Sequence, residues 1–307
     1  MGARMEIISL QVPFPREWGR GDATNIYLIK GKKTVLVDTG FDSPTNREYM
    51  EEALKKLTSW RIDAILLTHG HLDHFGMAGY VQRESGAGIF IHEDDCVALE
   101  DYRRSLVWLD EVWVHALEAG FSLDEMDDAR LKLLASLDLM TKPEGYTKFR
   151  GLEMDLGDGL LSTIHIPGHT PGCVGYTLGD SVFSGDVALE GSTVVGDLRK
   201  EFLAIQKLKL FKRIYTGHKK TPLSPADLEA LEAHFSRRLD DVLRMCRTGK
   251  TLKELVLEIY PMFSGSDVNF VRKVIPLRQI ISYLKYLEEE GYVEKRETRW
   301  HSFRDHL

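Results

Sequence analysis

The chain has 307 residues, 43% of them hydrophobic and 28% charged, with a formal charge of −7. That length suggests two domains at a prior of ~150 residues each, and the composition is that of an ordinary globular protein. The negative balance gives no basic footprint for tight non-specific nucleic-acid binding, and no stretch offers the ~20 apolar residues of a membrane span.

From the N-terminus, Met5 to Val12, Asn25 to Lys30 and Thr34 to Asp38 read as paired strands, the last two joined by a turn at Gly31-Lys32-Lys33. Between Pro44 and Trp60, Tyr49, Met50, Ala53, Leu54 and Leu57 recur at helical spacing and predict a helix on one sheet face. Ile62 and the run Ala64 to Leu67 suit a buried strand. That strand leads directly into Thr68-His69-Gly70-His71-Leu72-Asp73-His74, where three imidazoles and a carboxylate fall within six positions. Gly70 permits the tight backbone that brings neighbouring side chains round one point. Imidazole and carboxylate are good zinc ligands, and clustering them on one loop pre-organises a metal site. Met77 to Arg83 then reads as a helix and Gly88 to His92 as a strand. His92 has no second ligand beside it, so it is assigned a supporting role.

Residues 93–148 read as a helical insertion between two strands, with Val97, Tyr102, Leu106, Leu109, Val112 and Trp113 at helical spacing among charges. The second half of the sheet structure is expected from about Phe149. Leu160 to Ile166 alternates as a strand into Pro167-Gly168-His169-Thr170-Pro171-Gly172, with His165 a strand residue. Val174 to Leu178 and Ser181 to Ser184 form a hairpin ending at Asp186, and Gly191 to Asp197 is a loop near it. Leu198 to Leu210 reads as a helix, and Ile214 to Thr216 as a strand leading to His218. Cys173 is expected to pack behind the His169 turn.

After Pro222 the pattern is helical. Ser224 or Pro225 starts one helix, with Asp227 and Glu229 in its first turn. Thr251 caps the next, with Glu254 at the capping-box position. A third is predicted from about Pro276 to Glu290, stopping at Gly291, with a final hairpin to Phe303.

The run His69-Gly70-His71-Leu72-Asp73-His74 resembles the hallmark of the metallo-β-lactamase superfamily. Further motifs of that family are matched in order by Val35 to Gly40, Pro167 to Gly172, Ser184-Gly185-Asp186 and Thr216-Gly217-His218. The resemblance implies an α/β fold, an αββα sandwich with a helical insertion. His69, His71 and His169 would hold one metal, Asp73, His74 and His218 a second, with Asp186 bridging and Asp38 hydrogen-bonding the metal loop. The helices and hairpin of residues 223–307 are similar to the winged-helix domain of some family members, leaving 1–222 as the catalytic domain. From Thr248 to Leu307 there are ten Lys/Arg against nine Asp/Glu, so a packing or dimerisation module is preferred over a DNA reader.

The resemblance further implies two divalent cations, zinc by default with iron or manganese possible, and a shared hydroxide as nucleophile. Asp73 would orient that hydroxide. His71 stands where oxygen-reducing relatives place a carboxylate, which favours hydrolysis. The expected substrate is a small-molecule ester, thioester or lactone. Tyr102, Trp108, His115 and Tyr146 of the insertion region are the candidate contacts. Two alternatives stand beside it: an endoribonuclease acting on single-stranded RNA, and a winged-helix regulator that keeps the metal fold as a binding module. No C-terminal tail of glutathione-binding basic residues is visible, which argues against a glyoxalase II activity. Cys96, Cys173 and Cys246 form no CxxC pair, and the N-terminus has no apolar signal core. A cytoplasmic protein without membrane contact, and a possible homodimer, is therefore expected.

Overall fold

The computed structural model describes residues 5–14, 23–105, 107–120, 122, 131, 137, 140–189, 196–261 and 270–304. Residues 191–195 of the expected loop and most of residues 123–139 of the insertion lie outside them. Six strands form the first sheet in chain order: β1 (Glu6–Pro13), β2 (Ala23–Lys30), β3 (Thr34–Val37), β4 (Ala64–Leu66), β5 (Gly88–His92) and β6 (Thr147–Phe149). The first three are antiparallel neighbours, and β3 to β6 are parallel. Phe149 therefore ends the first sheet, where the sequence reading opened the second half. Three residues of β6 give too short a run to show which sheet they join.

The second sheet has the order β11-β10-β9-β8-β7. Its strands are β7 (Glu153–Asp155), β8 (Leu160–His165), β9 (Val174–Leu178), β10 (Ser181–Gly185) and β11 (Arg213–Thr216). Alternation along the strands explains how the sheets stack. Tyr27, Ile29, Val35, Val37 and Leu66 face Leu161, Val174, Tyr176 and Phe183 across the middle. Ile26, Leu28, Leu36, Ile65 and Ile89, one residue out of phase, pack outward against Met50 and Leu54 of α1 (Pro44–Thr58) and Val81 of α3 (Ala78–Ser85). Both sheets are thus buried on two faces, which is why the strands read as apolar runs.

Short helices α2 (Leu72–Phe75), α4 (Val97–Glu100) and α5 (Tyr102–Ser105), then α6 (Val107–Glu118), follow the parallel strands. On the outer face of the second sheet lie α7 (Leu198–Leu208), α8 (Pro225–Cys246), α9 (Leu252–Ile259) and α10 (Phe270–Glu289). Their buried residues, among them Ile205, Phe235, Leu255, Ile280 and Leu284, form one apolar cluster with Val182 and Ile214 of the sheet. Ser224 and Thr251 cap α8 and α9 in capping boxes with Asp227 and Glu254. The last helix starts at Phe270, six residues before the expected Pro276, which lies inside it. Without an N–H, Pro276 cannot serve the carbonyl four residues back, and packing carries the helix across that gap. A small sheet of β12 (Lys250–Thr251), β14 (Arg299–Ser302) and β13 (Val293–Arg296) closes this end. Among the described residues no helix is long and apolar enough to cross a membrane.

Candidate metal centre

The site forms where strands of both sheets end. Past β4 the chain runs through His69 to His71, whose extended backbone caps the single-turn helix α2 and places Asp73 and His74 within that turn. Asp38, just past β3, fixes this loop. Its Oδ1 accepts from the Thr68 backbone N–H and its Oδ2 from Thr68 Oγ1, each at 2.8 Å. The same Oδ2 lies 2.8 Å from His74 Nδ1, which turns His74 Nε2 to the opposite side. Asp38 is 2% exposed and sits at φ 59°, a conformation a non-glycine residue holds only when its surroundings demand it.

A carboxylate that sequence reasoning missed ties this loop to the next. Asp95 Oδ2 accepts from the Gly70 N–H at 2.8 Å and from Thr170 Oγ1 at 2.6 Å, and its Oδ1 accepts from the Gly172 N–H at 2.8 Å. The His69–His71 segment and the His169 turn are therefore held by one buried side chain. Asp186 follows β10, whose register against β11 slips between Phe183 and Gly185 and re-aims the chain. His218 follows β11, with its Nδ1 2.8 Å from the Ala23 carbonyl. Gly217 beside it has no room for a side chain: a Cβ would stand 2.4 Å from Asp186 Oδ1 and 2.6 Å from His74 Cε1.

The seven residues singled out from the sequence come together as two groups. His69, His71 and His169 bring one ligand atom each within 4.8 Å of one another, and Asp73, His74, Asp186 and His218 do the same. Asp186 lies between them, with Oδ2 3.6 Å from His169 Nε2 and Oδ1 3.1 Å from His74 Nε2 and 3.3 Å from His218 Nε2. The donor set fits a pair of cations on two counts. His69 Nε2 is buried with no hydrogen-bond partner, which leaves a lone pair or N–H wasted unless an ion meets it. The titration states point the same way. Burial, then the neighbouring imidazoles, push His69 and His71 well below the ordinary histidine range, so both are neutral donors. Burial opposes charge on His74 and His218 as well, yet Asp186 and the other carboxylates outweigh it and lift His218 to about 10. Protons there balance buried carboxylates, a task a cation would take over.

A further trio, His92, Asp94 and His165, also brings ligand-type atoms together. Here the rings stack in parallel at 4.5 Å, His92 Nδ1 accepts from the Asp94 N–H, and His165 Nε2 donates to the Pro171 carbonyl. His165 thus braces the His169 turn from the end of β8.

Of the candidate contacts, Tyr102 packs on Phe75 and accepts from the Leu72 N–H; burial and then the nearby Asp73 raise its pKa. His115 lines a cavity of about 470 Å³ that opens on His71 and His169. Trp108 falls in α6, but its side chain lies outside the described residues. Neither Tyr102 nor Tyr146 is among the residues lining this cavity, and the Tyr146 hydroxyl donates to Glu100 at 2.8 Å. Its position just before β6 carries it to the sheet edge. Cys173 is buried behind the His169 turn, with its sulfur 3.0 Å from Thr170 Oγ1. The cavity also takes Arg278, Ser282 and Lys285 from α10; no spacing in the sequence connects them to the histidines.

A family model described as the metallo-beta-lactamase superfamily matches residues 19–240. The Beta-lactamase-like protein 2 homolog of Caenorhabditis elegans is 27% identical over 284 residues, covering 88% of this chain and 80% of that protein. The acyl-coenzyme A thioesterase MBLAC2 of Bos taurus is 27% identical over 190 residues, 58% of this chain and 63% of that protein. Among solved structures, a metallo-beta-lactamase family protein from Thermus thermophilus superposes with a TM-score of 0.77 at 23% identity, covering 96% of this chain and 98% of that one. At that identity the match speaks for the fold, and it extends through the C-terminal helices.

Proposed function

The chain belongs to the metallo-β-lactamase superfamily and is a hydrolase of that fold, and we propose that it is a dinuclear enzyme acting on esters, thioesters or lactones. The observation that carries this reading is the division of seven side chains into two ligand groups with Asp186 between them. His69, His71 and His169 would hold one divalent cation, and Asp73, His74 and His218 the other, with Asp186 shared. Three imidazole donors suit zinc with a coordination position left for water. Bound there, the cations would supply hydroxide at neutral pH and draw electron density from the substrate carbonyl.

The remaining work falls to the chain. Asp73 Oδ2 lies 3.1 Å from His218 Nε2, and its side chain keeps 21% exposure, so it is placed to hold the proton of an attacking water. Asp38 and Asp95 keep the ligand loops in register. The cavity beside His71 and His169 accepts the substrate, with Val97, Ala98 and Val112 among its apolar lining. The C-terminal helices and small sheet support a winged-helix reading of residues 223–307. Its use here is packing, because α10 forms part of the cavity wall.

A panel of aryl esters, thioesters and lactones, run beside a labelled single-stranded RNA, tests the proposal. Acyl substrates should turn over, stop with a chelator, and slow by ~10²–10⁴-fold in Asp73→Ala. RNA cleavage at lower enzyme concentration than any acyl substrate would overturn the assignment in favour of a ribonuclease.

A further inference from the structure

Strands β5 and β8 belong to different sheets, yet each ends on a histidine, and the rings of His92 and His165 stack 4.5 Å apart at 10°. Asp94, two residues past His92, completes a trio whose ligand-type atoms lie within 4.8 Å of one another. Hydrogen bonds fix where the lone pairs stand. His92 Nδ1 accepts from the Asp94 backbone N–H at 3.3 Å, so that nitrogen carries no proton. His165 Nε2 donates to the Pro171 carbonyl at 2.8 Å, which leaves Nδ1 as the basic atom of a neutral ring. A ligating imidazole characteristically donates its other N–H to a carbonyl in this way. Asp94 Oδ2 faces His92 Nδ1 at 3.6 Å, beyond hydrogen-bond range, and an ionised carboxylate brings no proton to the pair. Two ligands on one tetrahedral zinc stand ~3.3–3.6 Å apart, so this gap is one that a single ion spans. The neighbouring carboxylates have other work: Glu93 pairs with Arg150, and Asp95 holds Gly70, Thr170 and Gly172.

We propose that His92, Asp94 and His165 form a third metal site, separate from the two ligand groups, at the rim of the cavity. Two imidazoles and one carboxylate favour zinc, copper or nickel over magnesium or calcium. Asp94 and Pro171 both line the cavity, so an ion held here stands at its edge and ties the end of one sheet to the end of the other. His92 is the fixed member: its side chain is 5% exposed and meets Phe149 edge-on. Asp94 and His165 are exposed and can adjust to the ion. Because the stacked rings are parallel, sharing one ion tilts the His165 ring out of the stack. With two of its three ligands exposed, the site holds its ion less tightly than the buried groups do. A desalted chain therefore keeps two ions, and the third enters only from added metal.

The full chain, already holding its two tight ions, is titrated with zinc in competition with a chromophoric chelator. The wild type should take up one further equivalent. Asp94→Asn and His165→Ala should each weaken that uptake by about tenfold or more, since losing a ligand costs at least as much as losing an outer partner of one. Elemental analysis of the desalted variants should still find two ions, which reports an intact fold and an intact dinuclear centre. The two variants are read separately, so damage to one leaves the other decisive. Glu93→Gln removes charge from the same turn without removing a ligand, and should leave the third affinity nearly unchanged. A wild type that takes up no third ion would overturn the site. So would uptake that persists undiminished in Asp94→Asn or His165→Ala, or that falls as far in Glu93→Gln. Each of those results would leave the dinuclear reading standing, because the tight ions are counted independently.

Discussion

Asp38 meets His74 and both donors of Thr68 with its two oxygens, so its loss should reach the metals first. Partners of this kind typically contribute 10–100-fold in metal affinity. Asp38→Ala should therefore weaken zinc binding by about that factor in competition with a chromophoric chelator; unchanged affinity would count against the role. Glu201 shows a different kind of constraint. It is fully buried beneath Gly168, its Oε1 accepts from the Ala188 N–H, and its Oε2 has no partner. Burial pushes its pKa from 4.5 up to about 8. The folded state holds that proton more tightly than the unfolded chain, so stability falls as pH rises from about 4.5 to about 8, by ~1.4 kcal/mol per unit at most. Glu201→Gln should therefore be more stable than the parent in urea at pH 8.5, with a smaller gain at pH 5.5; a gain that shrinks with rising pH would contradict this. The seven ligand-type residues were legible because four fall within six positions and the others sit in short turns. Asp95 and Glu201 were not, since a lone carboxylate in an acidic or helical stretch reads as solvated surface until the fold buries it.

The parallel strands β3, β4 and β5 carry Asp38, the His69–His74 loop and Asp95 past the same sheet edge. The second sheet delivers the His169 turn, Asp186 and His218 from beyond β8, β10 and β11. Asp95 cross-links the two sets, and its loss would strand the buried N–H groups of Gly70 and Gly172 and take a partner from Thr170. With each unmet buried group costing ~1–3 kcal/mol, Asp95→Ala should lose ~3 kcal/mol or more in denaturant unfolding. Less than 1 kcal/mol would mean that the loops are held by other contacts. Strands with continuous apolar runs and helices with marked caps, such as Ser224 and Thr251, could be read in advance because local chemistry fixes them. The allegiance of β6 and the start of α10 could not. The first depends on which neighbour three residues find, the second on tertiary packing that tolerates Pro276 inside the helix.

One apolar cluster runs from Val182 and Ile214 of the second sheet through α7 to α10 and out to Val293 and Trp300. The division at residue 222 that the sequence pattern suggests thus crosses a continuous core. The full chain should unfold in a single cooperative transition by calorimetry; two resolved transitions would show that the C-terminal part stands alone. That shared core sets α10 against the ligand loops, so residues some two hundred positions apart line one cavity. Sequence spacing carries no trace of that meeting, which is why Arg278 and Lys285 stayed invisible. Five imidazoles and two carboxylates converge in two groups, each proposed to hold one cation. Elemental analysis of the purified chain measures that occupancy most directly. Two divalent ions per chain, falling to one or fewer in His71→Ala and in His218→Ala, is the result expected. A chain that carries no stoichiometric metal, or holds two ions with both of those imidazoles removed, would contradict it.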